Sequence, residues 1–164
     1  VGSAEPAQKA VRDLIEGGFC STAADWVQRS GAKTNDWDWQ LVDQLAATWM
    51  HLGRPEIART LWEASNHAPS SAMRLSRLAD TWWVEGDLAK AEREYLAAIE
   101  AESEHPDSRW GLAMLYADQG AAVQARRACV EALERDLPEP QRDELRAVLA
   151  MLTSREEPEQ PRHE

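Results

Sequence analysis

Four histidines, two cysteines and a run of glutamates are the side chains here that could do chemistry, and their spacing argues against it. His51, His67, His105 and His163 show no helical His-Glu-x-x-His or other ligand pattern. His67 and His105 fall near junctions between helical segments, where surface or capping roles account for them, and His163 lies in the C-terminal tail. Cys20 and Cys129 are far apart, in no metal-like spacing, and read as two small buried hydrophobes with no disulfide between them. Glu92, Glu94, Glu100 and Glu102 resemble a carboxylate cluster, but charge on an exposed helix face is the usual reason for such a run. Gly17-Gly18 reads as a helix end and not as a phosphate-cradling loop, and no nucleophile stands beside a base. The expectation is a chain without catalysis, metal or cofactor. The chemistry left to it is non-covalent, through aspartates, methionines and tryptophans that could grip another molecule.

The elements that must position these side chains are helices. The 164 residues suit one domain, and a hydrophobic content of 43% excludes a wholly disordered chain. Ala, Leu, Glu and Arg dominate while Val, Ile, Phe and Tyr are scarce, which favours helix over strand. Gly18, Gly53, Gly86 and Gly120 end helix-like segments at separations of 35, 33 and 34 residues. Five residues after each glycine stands Ala23, Ala58, Ala91 or Ala125, and four further on Val27, Trp62, Tyr95 or Cys129. Leu14, Trp49, Trp82 and Tyr116 each precede the glycine by four, with Ala10-Val11, Leu45-Ala46, Leu78-Ala79 and Leu112-Ala113 one turn earlier. Offsets of three and four place all of these on one helix face. A small residue where two helices cross lets their backbones approach, and an aromatic neighbour fills the wedge that remains.

On these residues the chain resembles the tetratricopeptide repeat family over roughly positions 4–137. The segment Gly86-Asp87-Leu88-Ala89-Lys90-Ala91-Glu92-Arg93-Glu94-Tyr95 carries the resemblance best. Ala46, Ala79 and Ala113 replace the family's small Gly, Val11 replaces it in the first unit, and Ser30 and Ser65 take a later Ala position. The resemblance implies an all-α, right-handed superhelical stack of four hairpins, at about 4–37, 38–70, 71–105 and 106–137. The helices are expected near 4–17 and 22–30, 38–52 and 55–66, 71–85 and 88–102, and 106–119 and 122–135. Asp87 is expected to cap one second helix and Ser21 or Thr22 another, with Pro55 in the first turn of a third. Leu137-Pro138-Glu139-Pro140 breaks the chain, and Leu145, Val148, Leu149 and Leu152 give 138–153 the apolar face of a capping helix. Residues 154–164 are charged and Pro-containing and are expected to be disordered.

In proteins similar to this one the first helix of each hairpin lines a concave groove that holds a peptide or partner helix. Trp82 takes the repeated packing position, which leaves Trp83 facing the groove. That register puts Met50, Met73, Trp83, Val84, Trp110 and Met114 on the concave side, with Asp43, Asp80, Asp107, Asp118, Gln40 and His51 beside them. Met and Trp suit adaptable binding surfaces. The aspartates imply a protein segment that carries Lys or Arg between apolar anchors. The family's clamp for chaperone tails uses Lys, Asn and Arg, whereas Gln8, Arg12, Asp43, Ala47, Ser76 and Asp80 stand at those positions here. A clamp of that kind is therefore not expected.

A formal net charge of −11 repels phosphate backbones, so neither nucleic acid nor an anionic membrane surface is an expected partner. No apolar run approaches the ~20 residues of a membrane span, so direct insertion is not expected. The chain opens Val1-Gly2-Ser3 without a methionine, which reads as removal of a tag, signal peptide, anchor or further domain. The location expected is cytoplasmic, or periplasmic or membrane-tethered if such a segment was removed. The leading reading is a protein-interaction module: an adaptor, scaffold or assembly factor. The alternatives are a homo-oligomer formed through Trp-rich edges and a docking domain of a larger or membrane-anchored protein.

Overall fold

A computed structural model describes residues 4–154. Among these there are helices and no strands: α1 (Ala4–Glu16), α2 (Cys20–Ser30), α3 (Trp39–His51), α4 (Pro55–Ala64), α5 (Ser71–Val84), α6 (Leu88–Ala101), α7 (Pro106–Asp118), α8 (Ala122–Leu133) and α9 (Glu139–Ser154). The tail expected to be disordered lies outside the described residues, apart from Ser154, which ends α9.

The turn inside each hairpin is the same device four times. At Gly86, φ is +82°, a left-handed conformation that a side chain adopts only at a cost. The Gly86 amide donates to Trp83 O at 2.9 Å and the Asp87 amide to Trp82 O at 2.9 Å, which closes a Schellman motif. The outer bond recurs from Phe19 to Leu14, Arg54 to Trp49 and Ala121 to Tyr116, the residues marked by the sequence period. The next helix then needs a cap. Asp87 supplies one for α6 by accepting from the Lys90 amide, and Pro55 opens α4. Ser21 and Thr22 do not cap α2, because the helix already starts at Cys20 and takes both hydroxyl residues into its first turn. His105 caps α7, where its side chain accepts from the Ser108 amide.

The crossing alanines Ala23, Ala58, Ala91 and Ala125 are fully buried, as are Val11, Ala46, Ala79 and Ala113. Around them the core forms three successive clusters. Trp37, Trp39, Trp49 and Trp62 anchor the one under α1–α4, Tyr95 and Leu115 the middle one, and Cys129, Leu137 and Leu145 the one closed by α9. Burial pushes the Cys129 thiol up to about 11, so it acts as packing. Cys20, expected to be buried, keeps partial exposure at the start of α2. Each helix contacts its neighbours in the chain, and the first helices α5, α7 and α9 also touch in sequence.

Candidate functional site

Side chains one repeat apart meet on the face built by the first helices. Arg77 on α5 donates from Nε to Asp43 Oδ1 on α3 at 3.1 Å and from Nη2 to Asp43 Oδ2 at 3.4 Å, across 34 residues. Gln141 on α9 donates to Asp107 on α7 at 2.9 Å, again across 34. Trp110 on α7 donates to Glu144 on α9 at 2.9 Å, and Trp83 on α5 to Asp118 on α7 at 3.0 Å. Within repeats, Trp62 donates to Asp43 at 2.9 Å and the Tyr95 hydroxyl donates to Asp80 Oδ1. The carboxylates of this face are thus held in place by the polar tips of the aromatics that build the core.

Three adjoining hollows follow this face. The first is lined by Gln8, Asp36, Asp38, Trp39, Gln40, His67 and Pro69. The second, about 510 Å³, shares Trp39, Gln40 and Pro69 with the first and adds Asp43, Met73 and Arg77. The third, about 310 Å³, shares Asp43 and Arg77 and adds Ala47, Met50, His51, Trp62 and Asp80.

Asp80 sits at the centre of the charge. Its withdrawal from water raises its pKa to about 6, against the opposing hydrogen bond from Tyr95 and the charge of Arg77, while Asp107 adds to the rise. Its side chain keeps 29% exposure, so neighbouring atoms crowd the carboxylate without sealing it. Arg77 Nη1 lies 3.6 Å from Asp80 Oδ2, an ion pair in addition to its bonds with Asp43. Burial disfavours the guanidinium's charge, but Asp43, Asp80 and Asp107 together hold it more firmly protonated than usual.

Of the residues expected in the groove, Asp43, Met50, His51, Met73 and Asp80 come together in the second and third hollows. Trp83, Val84, Trp110, Met114 and Asp118 do not line these hollows. Trp83 and Asp118 bond to each other, and Trp110 and Met114 pack against the cluster under α9. Val84 is 60% exposed at the end of α5. Trp82 does pack, flanked by the Arg59 guanidinium 3.7 Å from its ring centroid and the Lys90 ammonium at 4.1 Å. Sequence reasoning missed Arg77, the cation amid the groove acids. The signal was available, since Arg77 follows Asp43 by one repeat length.

These features define an all-α solenoid of helical hairpins. Two solved structures share that fold, both of MamA. One matches at a TM-score of 0.62 and 17% identity, over 90% of this chain and 94% of that one. The other matches at 0.69 and 14% identity, over 92% and 81%. No family model and no curated protein matches the chain. Among the described residues, no helix is long and apolar enough to cross a membrane.

Proposed function

We propose that the chain is a protein-interaction module whose first-helix face is a concave groove for a segment of a partner protein, with no catalytic step. One observation carries this reading: the second and third hollows place Trp39, Met50 and Met73 beside Asp43 and Asp80. Apolar anchors next to carboxylates, of which Asp80 has only a 3.6 Å ion pair with Arg77 to offset its charge, are what a segment with hydrophobic and basic side chains requires.

The test is an arrayed library of short peptides probed with the folded protein and with a Met50→Ser, Met73→Ser variant. Basic, apolar peptides are expected to bind the parent and to lose about tenfold or more in the variant, from the loss of both apolar anchors with no change of charge. Equal binding by both proteins would remove the groove from the account.

A second reading, self-association, draws on a separate place. Phe19 and Trp26 are 59% and 41% exposed at the first hairpin, and Trp26 lines a hollow with Ser21, Thr22, Asp25, Arg29 and Ser30. Light scattering of the parent and of a Phe19→Ser, Trp26→Ser variant tests it, and a monomeric parent at high concentration excludes it.

A further inference from the structure

Resting on the groove reading above, we infer that Arg77 is a specificity-determining residue, an internal cation that fixes how many basic side chains the partner segment can place there. Asp43 on α3 and Asp80 on α5 pair with it directly, and the charge of Asp107 on α7 acts on it as well. Arg77 spends two of its nitrogens on Asp43, whose Oδ1 also accepts from Trp62. The Asp43 side of the groove is therefore already occupied by a guanidinium. Toward Asp80 the same group makes a longer contact, an ion pair at 3.6 Å. Asp80 Oδ1 is taken by Tyr95, and Asp107 accepts from Gln141, a neutral donor.

The charge is thus compensated on one side and in surplus on the other. Complementarity assigns one lysine or arginine of the partner to the Asp80–Asp107 side, with its apolar neighbours over Met50 and Met73. A second basic residue aimed at Asp43 meets Arg77 and is repelled. Like charge facing a wrong partner is the usual means by which a groove rejects near-relatives of its ligand.

The probes are two fluorescein-labelled nonapeptides of leucine and alanine, one with a single central arginine and one with two arginines four residues apart. Fluorescence polarisation at low salt gives their affinities for the parent, Arg77→Met and Arg77→Gln. Met keeps the apolar stem, and Gln keeps a donor for Asp43 without the charge. The parent is expected to bind the two probes within about threefold of one another, and both variants to prefer the two-arginine probe by about tenfold, the scale of one exposed-to-half-buried charge pair. An unchanged preference in the two variants overturns the role of Arg77. If the probes fail to bind the parent, or bind the Met50→Ser, Met73→Ser protein equally well, the groove reading falls and this inference falls with it.

Discussion

Asp80 shows how a single residue on the first-helix face can work against the fold. Its folded pKa of about 6 lies above the ordinary 3.8, so its titration contributes stability that is fully present below about pH 4. That contribution is lost as the pH rises through 6. At neutral pH the fold carries an ionised group it would rather protonate. Asparagine offers Tyr95 the same acceptor oxygen and has no charge. Asp80→Asn is therefore expected to stabilise the protein by about 1–2 kcal/mol near pH 8, with the advantage fading toward about pH 4.5. Thermal unfolding at the two pH values checks it. A deficit that grows with pH would show that Arg77 needs the carboxylate more than burial penalises it. The same residue separates what the sequence discloses from what it withholds. A repeat register can place Asp80 on the first-helix face, but its bond to Tyr95 on α6 spans 15 residues and follows no helical period. Only the packed hairpin reveals it.

At the scale of the helix, Gly111 does what none of the turn glycines does. It lies inside α7, where alanine is normally the better residue by about 1 kcal/mol. A Cβ there would lie 2.6 Å from Tyr95 Cζ and 2.8 Å from the Tyr95 hydroxyl oxygen. Tyr95 is fully buried and its hydroxyl is committed to Asp80, so it has no room to yield. Gly111→Ala is expected to destabilise by about 1–3 kcal/mol, the scale of overpacking, in place of the usual gain. Denaturant unfolding gives the sign directly. The capping of α6 predicts a smaller loss: Asp87→Ala removes the acceptor of the Lys90 amide and is expected to cost about 1 kcal/mol. The helices themselves were legible because each glycine, crossing alanine and aromatic obeys a rule that acts within its own hairpin. Their ends were less so. α4 stops at Ala64 and α8 at Leu133, each two residues short of the expected 66 and 135. Asn35 explains the first, since its side chain donates to Ala64 O at 3.1 Å from the segment that precedes α3.

Over the whole molecule, a stack built from neighbour contacts should respond to damage locally. Its apolar interior is divided: the cluster under α1–α4 contains no residue of α7, α8 or α9. The cluster under α9 draws on Ala113, Cys129, Ala132, Leu137 and Leu145. In such an architecture stability is close to a sum of units and of the interfaces between them. Leu145 is fully buried, and Leu145→Ala is expected to cost about 2–4 kcal/mol. In a globular core that loss would be shared by every amide that exchanges through global unfolding. Here it should fall on α7, α8 and α9, whose amides should exchange faster, while those of α3 and α4 change little. Hydrogen exchange of the parent and the variant distinguishes the two cases. A uniform acceleration would mean that α5 and α6 couple the ends of the stack into one cooperative unit. The Arg77–Asp43 and Trp83–Asp118 bonds, which cross from α5 to α3 and to α7, are then the contacts to break next.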